Sequence, residues 1–265
     1  MITIKSKQEI EKMREAGRIV ALAHSEVEKS LRIGMTTKEI DDIVERVFRE
    51  NGANSSCKGY PRGSKNPFPA ASCISVNDEV IHGIPGDRRL REGDLVCIDL
   101  VCDKNGYHGD ATRCYVVGCG SNVAHKLVKV AEESFWAGMK KAKPGNRVSD
   151  ISNAIQEFVE RNGFSIVKEF QGHGIGAEMH EDPGVPNYGK PGKGPRLEPG
   201  MTLAVEPMIN AGTHRVLWLD DEWTVISEDL SLSAHYENTI LITEGKPELL
   251  TLTESEKAAG YLELF

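Results

Sequence analysis

Apolar residues recur at helical spacing in two similar stretches, Thr37–Gly52 (TKEIDDIVERVFRENG) and Val148–Gly163 (VSDISNAIQEFVERNG). Ile40, Val44, Val47 and Phe48 of the first answer to Ile151, Ile155, Phe158 and Val159 of the second at a constant offset, so each stretch predicts a helix with one buried face. Both follow a glycine turn, at Gly34 and Gly145, and both close on Asn-Gly, a left-handed helix stop. Thr36 with Glu39 adds a capping box to the first. Farther on, REGDLVCIDL matches LEPGMTLAVEP with Gly93 on Gly200 and Asp99 on Glu206, and His82-Gly83-Ile84 echoes His173-Gly174-Ile175. Generic amphipathic design accounts for the helices equally well, but the strand match is harder to dismiss. The expectation is an α+β fold over residues 1–265, one domain built from two pseudo-symmetric halves of approximately 1–120 and 121–265. Antiparallel strands should surround a central site, with helices packed outside.

The strand-like runs carry acids where hydrophobes belong. Asp99 closes Leu95-Val96-Cys97-Ile98, and Glu206 closes Leu203-Ala204-Val205. A bare carboxylate at such a position is costly unless it is paired or bound to metal. Asn105-Gly106 between two such runs is a strong signal for a two-residue hairpin turn. Pairing Lys104 with Tyr107 then sets Val101 opposite Asp110 and Asp99 opposite Thr112, and both aspartates share one face. Diagonal neighbours on that face are about 7–8 Å apart, within reach of a shared ion. A bulge at His108-Gly109 would spoil the register.

Composition narrows the class. A chain of 265 residues with 39% hydrophobic content can bury a sizeable core. A net charge of −8 and the lack of any basic cluster argue against nucleic-acid binding. The opening MITIKSKQEIEKMREAG has no apolar h-region, and no apolar run approaches a membrane span, so a soluble cytoplasmic protein is expected. Cys57, Cys73, Cys97, Cys102, Cys114 and Cys119 then read as reduced thiols. Cys97/Cys102 and Cys114/Cys119 bracket the hairpin, but their intervals exceed usual zinc spacing, and the register makes Cys97 and Cys114 neighbours.

The order of Asp99, Asp110, GHGIG at Gly172–Gly176, AVEP at Ala204–Pro207 and SAHYENT at Ser233–Thr239 resembles the methionine aminopeptidase family. EKMREAGRIVA, SVNDEVIHGIP and DEWTV extend the likeness over nearly the whole chain, in the manner of the short bacterial type I form. The resemblance implies a pita-bread fold and a two-ion centre. Asp110 and Glu237 would bridge the ions, Asp99 would hold one by both oxygens, and His173 and Glu206 would complete the other. Glu206 is also implied as the base and acid for the bridging water, with His82 and His180 contacting substrate around the scissile bond. Tyr60, Phe68, Cys73 and Trp223 match the pocket for the amino-terminal side chain. Two features depart from the family pattern: Met179 stands where an aromatic is usual, and Gly59–Ser72 is a longer loop.

Oxygen ligands with one imidazole suit Mn²⁺, Fe²⁺, Co²⁺ or Zn²⁺. Two such ions about 3.5–4 Å apart can generate hydroxide at neutral pH. The implied reaction is removal of the amino-terminal methionine from nascent chains, with a small second residue preferred. The implied setting is a monomer that associates transiently with the ribosome. The rival readings are an Xaa-Pro-type aminopeptidase, whose members usually carry a further amino-terminal domain, and a non-enzymatic binding protein, whose members lose ligands that this chain keeps. GHGIG lacks the lysine and spacing of a phosphate loop, and its glycines are expected to let the backbone approach the ions. Alone, His82 would be a satisfied core histidine and His180 a surface one. His24, His108, His125, His214 and His235 match no ligand position, although His235 shares a strand face with Glu237 and is placed to steady it.

Overall fold

The structure, a computed structural model, describes residues 1–261. Four long helices frame it: α1 (Lys7–Ser30), α2 (Thr37–Glu50), α3 (Asn122–Met139) and α4 (Val148–Arg161), with a short α5 (Glu254–Ala258) near the end. The matched stretches become α2 and α4, each 14 residues long. Thr36 and Glu39 form the expected capping box. The stop glycines Gly52 and Gly163 adopt φ of 60° and 84°, a left-handed backbone that glycine accepts without Cβ strain.

Each helix pair covers its own strands. Ile19, Val20 and Val27 of α1 and Ile40, Val44 and Phe48 of α2 pack on Ile98, Leu100 and Ala111. Leu127 and Phe135 of α3 and Ile151, Ile155 and Val159 of α4 pack on Leu203, Val205 and Ile240. Gly109 explains how closely α1 lies on the first sheet: a Cβ there would stand 2.7 Å from the Gly17 backbone nitrogen. All strand pairings among the described residues are antiparallel.

Two sheets position the site. The first pairs the long strands Leu95–Lys104 and Tyr107–Val116, flanked by Cys73–Val76 and Asn54–Ser55. The second runs Glu248–Leu249, Asn238–Leu241, Thr202–Val205, Gly172–Gly174, Glu181–Val185 in spatial order. The hairpin turn forms at Asn105-Gly106, with φ of 56° and 76° as a primed turn requires. Its register is the expected one, pairing Lys104 with Tyr107, Val101 with Asp110 and Asp99 with Thr112, and no bulge interrupts it at His108-Gly109.

The expectation of six reduced thiols is corrected at one pair. The register sets Cys97 directly against Cys114, and the two are joined as a disulfide, while Cys57, Cys73, Cys102 and Cys119 are free. Facing positions on adjacent strands bring the two side chains together, which residue intervals alone do not show.

Candidate active site

The two sheets meet where the acids lie. Asp110 N–H donates to Thr239 Oγ1 at 2.9 Å, and that hydroxyl donates to the Asp110 carbonyl at 2.9 Å. Glu237 N–H donates to the Thr112 carbonyl at 3.1 Å, and Thr112 Oγ1 donates to Glu237 Oε2 at 2.9 Å. Behind this seam the buried Arg113 guanidinium donates to the Glu237 carbonyl at 2.5 Å, Asn238 Oδ1 at 2.8 Å and Glu256 Oε1 at 2.5 Å. Hairpin and second sheet are thus tied on both sides of Asp110 and Glu237.

Asp110, His173 and Glu237 each offer a ligand atom within 4.8 Å of the others, so the three could hold a cation. His173 Nε2 lies 3.5 Å from Glu206 Oε1 and 3.8 Å from Asp110 Oδ2. Register places His173 opposite Ala204, two residues before Glu206, and sets Asn238, next to Glu237, opposite Val205, next to Glu206. Asp99 lines the same cavity. All five residues expected to bind metal therefore converge.

Electrostatics make the cluster unstable by itself. Burial pushes Asp99 up to about 6. Asp110, Glu206 and Glu237 are driven well above the usual carboxylate range, first by burial and then by one another's charge and that of Asp99. Asp99 Oδ1 and Asp110 Oδ1 are buried with no hydrogen-bond partner. Burial, then His180, lowers His173 to about 4, leaving a neutral imidazole suited to ligation. Orphaned carboxylate oxygens beside a neutral imidazole are what a divalent cation would satisfy.

Above the cluster opens a cavity of about 340 Å³, within the usual range for small-ligand sites. Tyr60, Phe68, Cys73, His82, Met179, His180 and Trp223 line it together with the five residues expected to bind metal, so the expected ligands, histidines and pocket residues share one space, while His235 lies outside its lining. His82 follows the strand Glu79–Ile81, as expected, at φ 58°, an uncommon conformation for a side-chain-bearing residue and one that recurs at functional sites. Burial and then His180 lower it to about 4. His180 Nδ1 sits 3.2 Å from the Tyr60 hydroxyl, and its ring stands edge-on to His173 with centroids 4.4 Å apart.

The long loop closes the apolar end. Phe68 is 2% exposed and packs edge-on against Trp223 at 5.2 Å between centroids. Trp223 Nε1 donates to the Asn66 carbonyl at 3.2 Å, tying the loop to the turn that carries the tryptophan. Cys57, Val101, Ile81 and Phe170 also line the cavity and were not singled out beforehand. Val101 was legible, since the hairpin register sets it opposite Asp110. Nothing local marks the others. The glycines of GHGIG serve strand packing: a Cβ on Gly172 would stand 2.3 Å from the Ala204 carbonyl oxygen, and one on Gly174 would stand 2.1 Å from that of Asp182.

Known proteins place this geometry. The sequence model of metallopeptidase family M24 matches residues 11–244. Methionine aminopeptidase 1 of Bacillus subtilis is 51% identical over 251 residues, 95% of this chain and 99% of that protein. Methionine aminopeptidase of Clostridium perfringens is 51% identical over 95% of this chain and 99% of its own length. The crystal structure of methionine aminopeptidase from Thermotoga maritima superposes with a TM-score of 0.92 at 43% identity, covering 95% of this chain and all of that one. Prolidase from Pyrococcus furiosus shares the pita-bread fold at a TM-score of 0.73 and 26% identity, but this chain covers only 66% of it. The protein belongs to metallopeptidase family M24, and within it to the methionine aminopeptidases.

Proposed function

We propose that the cavity removes the amino-terminal methionine of a polypeptide, that Asp99, Asp110, His173, Glu206 and Glu237 hold two divalent cations, and that a small second residue of the substrate is preferred. The observation that carries this reading is the convergence of four acids, Asp110 and Glu237 buried and Asp99 and Glu206 half-buried, with one neutral imidazole in a single cavity. Four carboxylates would bear four negative charges, which two divalent cations neutralise. Manganese, iron, cobalt or zinc fits such a donor set. When bound, the ions supply a nucleophilic hydroxide at neutral pH and positive charge beside the carbonyl.

The chain's own side chains do the rest. Phe68, Trp223, Cys57, Cys73 and Met179 receive the methionine side chain, whose polarizable sulfur favours aromatic edges. Glu206 accepts the proton of the attacking water and returns it to the leaving amine. Tyr60 OH and His180 Nδ1 are 3.2 Å apart, and in this reading the phenol donates, so that His180 carries its proton on Nε2 and presents it to the substrate carbonyl. His82 lines the same cavity as the second neutral imidazole at the scissile bond. No helix among the described residues is long and apolar enough to cross a membrane. We place the reaction in the cytoplasm, on chains leaving the ribosome and through transient contact with it, carried out by residues 1–265 as one monomeric catalytic unit.

The test is release of free methionine. With Mn²⁺ or Co²⁺ added, Met-Ala-Ser should be cleaved, while N-acetyl-Met-Ala-Ser, Met-Phe-Ser and Ala-Pro should resist. Turnover of Ala-Pro in preference to Met-Ala-Ser would assign the site to the Xaa-Pro chemistry of the prolidase relatives. Failure to bind any of the four metals would overturn the proposed ligand set.

A further inference from the structure

The Glu206 carboxylate lies between two imidazoles, and the reaction above uses only one of them. His173 Nε2 stands 3.5 Å from Oε1. On the other side, His235 Nε2 stands 3.8 Å from Oε2. The His235 side chain is 4% exposed, and its Nε2 is buried with no hydrogen-bond partner. A ring nitrogen buried without a partner is unfavourable. The chain nonetheless holds this one firmly. His235 ends the strand Ser233–His235, pairs with Met208, and donates its backbone N–H to the Cys114 sulfur at 3.2 Å. Glu206 is fixed from its own backbone, where Asn187 Nδ2 donates to its carbonyl at 2.9 Å.

We propose that His235 is a positioning residue for Glu206, donating its Nε2–H to Oε2 and thereby leaving Oε1 as the oxygen turned toward His173 and the metal floor. The gap closes to hydrogen-bond length, near 2.9 Å, with about 1 Å of side-chain movement. A carboxylate that must both hold an ion and exchange a proton has two oxygens free to trade places. A neutral donor on one of them removes that freedom without adding charge to the site. Partners that orient metal-bound groups in this way commonly contribute about 10–100-fold to affinity or activity.

This inference rests on the reading of Glu206 as the base, so the two are tested side by side. His235→Gln keeps an N–H donor at similar reach. His235→Met fills the space without one, and His235→Ala serves if the methionine disturbs packing. Kinetics on Met-Ala-Ser and calorimetric Mn²⁺ binding are measured for each, with melting curves as the check on folding. The expected result is a ~10–100-fold lower kcat and weaker Mn²⁺ binding for Met or Ala, KM within about threefold of wild type, and recovery to within about threefold by Gln. Equal impairment of the Gln and Met variants, or wild-type kcat for Met, would overturn the inference. Glu206→Gln separates the two readings: if it retains wild-type kcat, the base assignment itself has failed. If it is inactive while His235→Met is unimpaired, only the role of His235 is lost.

Discussion

Replacing Asp99 by Asn should stabilise the metal-free protein while weakening its hold on metal. Asp99 Oδ1 is buried without a partner, and burial lifts the carboxyl from an ordinary 3.8 to about 6. The folded state binds the proton more tightly than the unfolded one. Asp99 therefore supports the fold at low pH, and its contribution is lost as pH rises from about 4 to about 6. A gap of about two pH units corresponds to about 3 kcal/mol, missing in full at pH 7.5. Asparagine cannot ionise, so in EDTA at pH 7.5 the variant should melt about 6–12 °C above wild type, and the difference should fade toward pH 4. His24, His82, His173 and His235, held low mainly by burial, impose the opposite slope, since each must give up its proton to fold below about pH 6.5. That slope is common to both proteins and cancels in the difference. Saturating Mn²⁺ should invert the order, because wild type gains about 2.7 kcal/mol per ion at a hundredfold excess over Kd and the variant loses one ligand. Calorimetric melts at four pH values, with EDTA or Mn²⁺, measure all of this. A variant less stable than wild type in EDTA at pH 7.5, or a difference that does not vary with pH, would refute the reasoning.

Other perturbations separate chemistry from scaffold. Glu206→Gln should lower kcat for Met-Ala-Ser by about 10²–10⁴-fold, as expected of a lost proton carrier, and should melt above wild type in EDTA at pH 7.5, because burial and then the neighbouring acids raise its carboxyl as well. Arg113→Ala should destabilise the metal-loaded protein by about 3–5 kcal/mol in urea titrations, because it strands Glu256 and the Glu237 carbonyl without their buried donor. Trp223→Ala removes edge contacts to Phe68 and His82, each commonly about 0.5–1.5 kcal/mol, and should raise KM for Met-Ala-Ser about tenfold with a smaller change in kcat.

Much of the site was legible because local rules determine it. Asn105-Gly106 admits one tight turn, the turn sets the register, and the register turns Asp99 and Asp110 to one face. Glu206 betrayed itself by ending an apolar run, and the paired helix stops at Gly52 and Gly163 followed from Asn-Gly. The parts that escaped depend on segments distant in sequence. Phe170 and Cys57 look like ordinary filler until the fold brings both to the same cavity wall. Nothing in SVNDEVIHG announces that His82 adopts a left-handed backbone, and nothing near Thr112 or Thr239 shows that their hydroxyls join the sheets through Glu237 and Asp110. Met179 and, through Tyr60 and Phe68, the loop at 59–72 both reach the cavity. There Phe68 packs edge-on against Trp223.

The placement of the acids explains how the fold carries them. A cluster of four carboxylates inside either hydrophobic core would have to be desolvated by that core's own packing. Here it lies at the seam, with the aspartates on the hairpin that packs under α1 and α2, and His173, Glu206 and Glu237 on or beside strands that pack under α3 and α4. Each core can close on aliphatic side chains while the charged groups face one shared cavity. Arg113 then sets a permanent positive charge behind the seam, bound to the Glu237 carbonyl and balanced by Glu256, so the scaffold survives repulsion among the acids without spending a cation inside the cavity. The cavity side is left with carboxylate oxygens that no protein donor satisfies, which reserves them for metal.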